Sequence, residues 1–214
     1  MEPLHLYVSV PVASFRVAHA REYWETYPCP PPSTVYGMLL SLVGEPDRLV
    51  HQGAEVAMAL ISEPNVSVVL RTLWRVKSKK LGPGLGANKR PDFQEILSNV
   101  RLAVWTRRGR DEVARRSLTE RVSAALDDPV GVNRFGGLSL GESTHLVDEV
   151  RRWQESDPEK GRLLTRDAKG DLSLPIWPDH VGSRGTHWGQ FRLRDWRQIS
   201  DLPDEVWTTV RPPE

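Results

Sequence analysis

The sequence predicts an α+β fold of the ferredoxin-like type, with its elements in the order β-α-β-β-α-β. Three features carry this prediction. Short segments that alternate apolar and polar residues indicate strands, two segments with helical periodicity indicate helices, and one long basic connection separates two of the strands. The 214 residues are 39% hydrophobic and 27% charged, which is typical of a globular protein.

The first strand and the first helix have the clearest patterns. Residues 4–10 alternate, so that Leu and Val side chains share one face of a half-buried strand. Residues 35–43 place apolar side chains at i, i+3, i+4, i+7 and i+8, which predicts a helix with one buried face. Ser33 or Thr34 is the expected N-cap.

A row of small residues lies on this helix, because Ser33, Gly37 and Ser41 recur every four positions. Glycine within a helix costs ~1 kcal/mol relative to alanine, so a close approach of another chain is expected there. Packing of the helix against a sheet and contact with a ligand or partner both explain such a face.

The middle of the chain predicts strands at 55–62, 66–76 and 99–108, the last two pairing as a hairpin. The connection between them has about twenty residues, and loops of that length are usually functional or mobile. From Arg71 to Arg116 there are thirteen Lys/Arg and four Asp/Glu, a net charge of +9, whereas the remaining sixteen basic and twenty-four acidic residues give −8. Pairing with acidic neighbours and attraction of an anionic partner both fit this distribution.

A second helix is predicted at 111–129, with Asp111 as its cap, followed by a glycine-rich turn at 134–141 and a strand near 145–150. The core domain is therefore expected to span 1–151. Residues 152–214 contain short strand-like pieces, which predict a β-rich extension packed on that domain.

Several catalytic and cofactor motifs are incomplete. "GLSLG" at 137–141 matches G-x-S-x-G, and a serine hydrolase with Ser139, Asp148 and His180 is one alternative, but a parallel βαβ context is missing. Cys29 is the single cysteine and the histidines are scattered, so no disulfide, metal site or cofactor is expected. No membrane span or signal peptide is evident, which predicts a cytoplasmic protein.

The basic hairpin and the glycine-rich turn suit nucleic acid. Cations on one strand face and in the loop of the hairpin are arranged to follow a phosphate backbone, and Trp74 or Trp105 offers a flat ring for a base. The turn exposes backbone N–H groups beside Arg134 and Phe135, although a tight connection between helix and strand explains it equally. RNA-recognition domains use the same order of elements.

Residues 14–45, "SFRVAHAREYWETYPCPPPSTVYGMLLSLVGE", resemble the N-terminal signature of the CRISPR-associated RAMP superfamily. More narrowly, they resemble the fifth Cas family, the Cascade subunit that caps the 5′ handle of the crRNA. "RFGGLSLGES", which begins at Arg134, is similar to the glycine-rich segment of that family, and the hairpin at about 66–108 is similar to its thumb. The resemblance covers residues 1–151.

The resemblance implies a non-catalytic crRNA-binding subunit of a type I Cascade complex. Such a subunit joins the large subunit to the backbone subunits and meets target DNA indirectly. The residues that match the RNA-binding positions of the family are Arg16, Ser33, Tyr36, Gly37, Arg71, Arg75, Lys77, Lys79, Lys80, Lys89, Arg90, Arg134, Phe135, Gly136 and Gly137. No catalytic, metal or cofactor residue is implied.

One branch of the family cleaves precursor RNA without a metal ion, which makes an endoribonuclease the first alternative, ahead of the serine hydrolase. Tyr36, Lys89 and a histidine are the residues available for acid–base work on a 2′-hydroxyl. The central segment has no adjacent Lys-His pair, which argues against cleavage.

Overall fold

A computed structural model of the chain describes residues 2–18, 22–179, 184–196 and 202–213. The helices in these ranges are α1 (Pro32–Leu42) and α2 (Leu118–Asp127), and short 3-10 turns lie at Gly86–Asn88 and Asp204–Val206. The strands are β1 (Leu4–Ala13), β2 (Tyr23–Trp24), β3 (Glu55–Leu60), β4 (Asn65–Trp74), β5 (Lys89–Arg107), β6 (Glu149–Arg152), β7 (Gly161–Arg166), β8 (Leu172–Trp177), β9 (His187–Trp196) and β10 (Thr208–Thr209).

One sheet joins these strands, in the order β6-β1-β5-β3-β7-β9-β8. Neighbours along this path are antiparallel. The short strands β2 and β10 pair with β5 and β3, and β4 pairs with β5. A mostly antiparallel sheet with two helices confirms the α+β class.

Both predicted patterns for the core are confirmed in β1 and α1. Leu6, Val8 and Val10 of β1 are fully buried and belong to the same apolar cluster as Val35 and Leu39 of α1. Burial of each such side chain is worth about 1.5–3 kcal/mol, so this cluster fixes the helix on one face of the sheet.

The start of α1 differs from the prediction that Ser33 or Thr34 caps it. The helix begins at Pro32, and its N-cap position is Pro31, which makes no side-chain capping bond. The Ser33 hydroxyl instead donates to the Pro175 carbonyl of β8 at 2.8 Å. Proline suits the first helical position because its φ is preset and its missing N–H would have had no helical partner.

The start of α2 is also later than predicted. Ser117 is the cap and forms a capping box with Glu120, so the expected cap at Asp111 is wrong. Asp111 accepts from the Arg211 guanidinium at 3.0 Å. Glu112 is buried and accepts from the N–H of Leu118, the first helical residue, at 2.6 Å.

The hairpin pairs differently from the prediction. The strand β5 has 19 residues, and β4 pairs with its first half, from Trp74↔Lys89 to Asn65↔Ser98. The predicted partner at 99–108 is the second half, which lies between β1 and β3. The hairpin therefore projects from the sheet as a continuation of a central strand. Beyond β3, residues 161–196 add β7, β9 and β8.

Candidate nucleic-acid interface

A cleft of about 710 Å³ separates α1 from the glycine-rich segment, which we define as residues 134–141. A Cβ built on Gly37 would meet nothing within 4 Å, so this face of α1 is open. Phe135 stands at the cleft with its side chain fully exposed. The lining residues are Gly37, Leu40, Ser41, Gly44, Glu45, Pro46, Asn133, Arg134 and Phe135.

Two glycines allow the chain to close around this cleft. Gly44 ends α1 with φ +68°, and a Cβ there would lie 2.3 Å from the Asn133 carbonyl oxygen. Gly141 has φ +97°, and a Cβ there would lie 2.6 Å from the Ser14 carbonyl oxygen. Any side chain would separate these backbones, so glycine lets Asn133 lie against the end of α1 and lets the end of the glycine-rich segment lie against Ser14, just after β1.

Ser33 and Tyr36 turn away from the cleft, unlike Gly37. The Tyr36 ring is 3% exposed, and its hydroxyl donates to the Arg48 carbonyl at 2.7 Å. Burial raises the pKa of Tyr36. The Ser33 hydroxyl is engaged by Pro175. These two residues support α1 from inside, and Gly37 is the member of the three that an approaching chain can touch.

A second cluster contains two of the predicted arginines around one tryptophan. The Cζ atoms of Arg16 and Arg71 lie 4.0 Å and 5.5 Å from the centroid of the Trp24 ring. Trp24 lies on β2, opposite Gln94 of β5. Sequence reasoning missed Trp24, because β2 has only two residues and the chain has eight tryptophans. The available signal was an aromatic pair in a loop that also carries arginine.

This arginine–tryptophan cluster is tied to the glycine-rich segment through Glu142. Arg71 and the buried Gln94 donate to the Glu142 carboxylate at 3.0 and 2.6 Å, and Arg71 also donates to Gln94.

The Ser14 N–H donates to Nδ1 of His145 at 3.1 Å, which requires a neutral ring. Burial lowers the pKa of His145, which favours that neutral form.

The tip of the hairpin, residues 75–88, is organised by the buried side chain of Asn88. Its Oδ1 accepts from the N–H groups of Lys77 and Ser78, each at 2.8 Å. Its Nδ2 donates to the Ser78 and Leu81 carbonyls at 2.9 and 2.8 Å. Arg75 adds a bond from Nε to the Ala87 carbonyl. The side chains of the tip lysines therefore project from a hydrogen-bonded loop.

The predicted cations of the hairpin fall into two groups. Arg71 pairs with Glu142, and Arg90 pairs with the buried Asp92 at 2.7 Å. For these two residues, the alternative that the basic segment pairs with acidic neighbours holds. The other predicted cations of the hairpin, and Arg134 of the glycine-rich segment, are exposed and make no ion pair within the described ranges; they are Arg75, Lys77, Lys79, Lys80, Lys89 and Arg134. These six remain available to an anionic partner.

The alternative chemistries are not assembled in the described residues. The Ser139 backbone bridges back to Leu146 instead of leading into the helix that a nucleophile elbow needs, and His180 lies outside the described residues. Tyr36 is buried, whereas Lys89 is exposed on the hairpin. Within the described ranges, no group of three His, Cys, Asp or Glu side chains could hold a metal ion. No helix there is long and apolar enough to span a bilayer.

Comparison with known proteins decides the family. No protein-family model matches the sequence. The chain is 45% identical over 191 residues to a protein of Myxococcus xanthus (strain DK1622) named CRISPR-associated protein Cas5, and the match covers 89% of each. The chain belongs to the Cas5 family. The predicted resemblance to the fifth Cas family is thereby confirmed.

Solved structures show the same fold for this Cas5 chain at low sequence identity. A chain of a CRISPR RNA-guided surveillance complex superimposes with a TM-score of 0.63 at 13% identity, covering 96% of both chains. A structure titled "Crystal structure of Cas protein" gives 0.54 at 14% identity, covering 92% of this chain and 96% of that one.

Proposed function

We propose that this Cas5 chain is a non-catalytic subunit of a type I Cascade surveillance complex and that it binds the 5′ handle of the crRNA. The observation that carries the proposal is the cleft between the open face of α1 and the glycine-rich segment. Gly37, Arg134 and Phe135 meet there, although about one hundred residues of chain separate them.

Each part of the site has a role suited to single-stranded RNA. Gly37 lets a sugar–phosphate backbone approach α1, Arg134 neutralises a phosphate, and exposed Phe135 stacks with an unpaired base. Gly136 and Gly137 keep the segment free of bulky side chains beside Phe135. The tip cations Arg75, Lys77, Lys79 and Lys80, with Lys89 and Arg90 on β5, continue the contacts with the phosphates.

Arg16 and Arg71 act on the same RNA from the other end of the site. Their guanidinium groups are positioned by Trp24 and, for Arg71, by Glu142. A guanidinium that is already oriented loses less conformational entropy when it binds phosphate. We therefore expect Arg16 and Arg71 to fix the direction in which the RNA leaves the cleft.

The fold suits the same role in the assembly. We infer that β6, β1, β5 and β3, with α1 and α2, form a ferredoxin-like core and that the β4–β5 hairpin is the thumb. The partners are the crRNA handle, the backbone subunit and the large subunit in the cytoplasm, with target DNA met through the complex. No cofactor and no metal ion are required.

We propose binding without cleavage. Cleavage without a metal ion needs a base near the 2′-hydroxyl and a donor near the leaving oxygen. The Tyr36 hydroxyl is buried and bonded to a backbone carbonyl, and the Lys89 side chain lies on the hairpin. Labelled repeat RNA incubated with the purified chain in chelator is expected to stay intact. Defined cleavage products would overturn this part of the proposal.

The cleft itself is tested with Gly37→Trp, and Gly37→Ala is the matched control. Nothing lies within 4 Å of a Cβ at Gly37, so both variants are expected to fold, and alanine adds ~1 kcal/mol of helix stability. Tryptophan fills the cleft, and we expect retention of handle RNA to fall at least tenfold, with alanine near wild type. If the folded Gly37→Trp variant binds RNA normally, RNA does not enter this cleft.

A further inference from the structure

Three polar side chains between the hairpin and the glycine-rich segment form a closed set of hydrogen bonds. Gln94 of β5 is 2% exposed, and its Nε2 donates to Oε1 of Glu142 at 2.6 Å. Nη1 of Arg71, on β4, donates to Oε2 of the same carboxylate at 3.0 Å and also to Oε1 of Gln94. Each of the three residues therefore contacts the other two. We call this set the amide network.

An amide is the side chain that this arrangement requires at position 94. The guanidinium of Arg71 only donates and the carboxylate of Glu142 only accepts, so the group between them must accept on one side and donate on the other. A carboxylate there would repel Glu142 at a buried site, and methionine, which has a similar shape, could make neither bond. Replacing Gln94 by methionine therefore breaks the network without changing the charge of the protein.

The hairpin has few strand neighbours to fix its orientation. The pairing of β1 with β5 stops at Leu97, so the preceding part of β5 extends beyond β1. It is flanked there by β4 on one side and by the two-residue strand β2 on the other. Narrow ribbons of strands twist more than wide sheets and are marginally stable alone. Side-chain bonds from the hairpin to the body of the protein therefore bear on its direction.

Glu142 offers the hairpin a firm point of attachment. Leu140, two residues earlier, is fully buried, and its N–H donates to the His145 carbonyl at 3.0 Å. The His145 N–H donates in turn to the Glu142 carbonyl at 2.9 Å. Gly141, between them, lies directly against the Ser14 carbonyl. A hairpin that is bonded to Glu142 is thus bonded to a turn that is anchored in the core.

The two ends of the network carry the two parts of the proposed RNA site. Glu142 directly follows the glycine-rich segment, which begins with Arg134 and Phe135. Gln94 lies five residues along β5 from Lys89, where the strand leaves the tip, a distance of about 17 Å at ~3.3 Å per residue. When two binding parts hold one strand, the second contact forms at an effective concentration that falls as their connection loosens. A firm connection therefore raises RNA affinity without itself touching RNA.

We propose that Gln94 and Glu142 are positioning residues that hold the hairpin against the glycine-rich segment, so that the cleft and the hairpin tip bind one RNA strand as a single site. This inference rests on the proposed function, which assigns RNA to both parts. It adds an energetic coupling between them. Loss of the tip contacts costs more RNA affinity while the amide network is intact than after it is broken.

The test is a double-mutant cycle on affinity for handle RNA. Gln94→Met breaks the network, and replacement of Lys77, Lys79 and Lys80 by alanine removes the tip contacts. Affinity is measured at one salt concentration for the wild type, for each variant and for their combination. We expect the loss caused by the tip change to be about fivefold smaller, or less, in the Gln94→Met background. A merely structural role of Gln94 would lower affinity by the same factor with and without the tip lysines.

Glu142→Gln is the second network variant, and Glu55→Gln is its matched control. An amide has one oxygen, so Gln at 142 cannot accept from both partners with separate oxygens as the carboxylate does. Glu55 pairs with Arg107, and these side chains are 19% and 34% exposed, against 27% and 38% for Glu142 and Arg71. Both substitutions remove one negative charge. We expect Glu142→Gln to reduce the coupling and Glu55→Gln to keep the full loss at the tip. If Gln94→Met melts without a folded baseline, Glu142→Gln decides.

The outcomes separate this inference from the proposed function. An equal loss at the tip in all backgrounds overturns the coupling, while the RNA site stands. A smaller loss in Glu55→Gln as well shows that the added charge is responsible, which also overturns it. If neither the tip change nor Phe135→Ala weakens RNA binding in the otherwise wild-type chain, the proposed function fails and the inference fails with it.

Discussion

The order of the hairpin tip depends on one side chain, and replacing Asn88 by alanine tests this directly. Asn88 is 1% exposed, and its amide makes five hydrogen bonds of 2.8–3.3 Å to residues 77–82. Alanine removes all five. Asn88→Asp keeps an acceptor for the two N–H groups and loses the donor, so it serves as the intermediate variant.

The expected magnitude follows from these bonds. A neutral hydrogen bond contributes ~0.5–1.5 kcal/mol net, and water compensates part of the loss once the tip opens. We therefore expect Asn88→Ala to lower the free energy of local opening by about 2–3 kcal/mol. Since ~1.4 kcal/mol corresponds to a factor of ten, amide protection in the tip should fall roughly 30- to 150-fold.

Hydrogen–deuterium exchange measures this loss peptide by peptide. Peptides that cover 75–88 are expected to exchange faster in Asn88→Ala, less so in Asn88→Asp, with β1 and the second half of β5 unchanged. Affinity for handle RNA should fall as well, because ordering the loop then opposes binding. If exchange in the tip is the same in wild type and Asn88→Ala, the side chain does not hold the loop and this reasoning is wrong.

Three further predictions concern charge, pH and a half-buried ion pair. Reversing Lys77, Lys79 and Lys80 to glutamate should weaken RNA binding and reduce the slope of log affinity against log salt by about two, measured by titration across salt. Burial lowers the pKa of His5 from 6.5 to about 4. The free energy of unfolding should therefore fall by about 1–2 kcal/mol as the pH drops from 6.5 to 4. Thermal melts of the His5→Phe variant should lack this loss. Arg121→Ala should destabilise by about 2–3 kcal/mol, read as a melting temperature about 5–10 °C lower, because Glu45 loses a partner at 2.6 Å.

Each of these has a contrary result. An unchanged salt slope removes the tip lysines from the RNA site. For His5, stability must fall as the pH drops, because the unfolded chain binds a proton below pH 6.5 and the folded chain does so only near pH 4. Equal profiles of stability against pH for His5→Phe and wild type would contradict the lowered pKa of His5. For Arg121, a melting temperature within 2 °C of wild type would show that the pair with Glu45 adds little.

Local patterns predicted the elements that pack directly on the main core. The alternation in β1 and the apolar row of α1 were readable because each places one face against the same cluster. The open face at Gly37 could also be predicted, because glycine within a helix costs stability unless its small size is needed. The glycine-rich segment was also readable, because its composition is tied to close backbone approach.

Other features depended on contacts between distant residues. The first half of β5 includes Pro91 and Asp92, which disfavour a strand locally, and pairing with β4 overrides that preference. The start of α2 was misplaced because Glu112 is engaged by His51 at 2.8 Å, a contact that the sequence does not reveal. Trp24 joins two arginines from distant positions, so only the folded chain identifies the cluster.

The direct test of the whole account is photo-crosslinking of handle RNA that carries 4-thiouridine, bound in the assembled complex, with the sites located by mass spectrometry. We expect crosslinks at 134–137, at Trp24 and at the hairpin tip, 75–88. Crosslinks confined to residues 152–214, with the cleft and the tip unlabelled, would contradict the proposed RNA site.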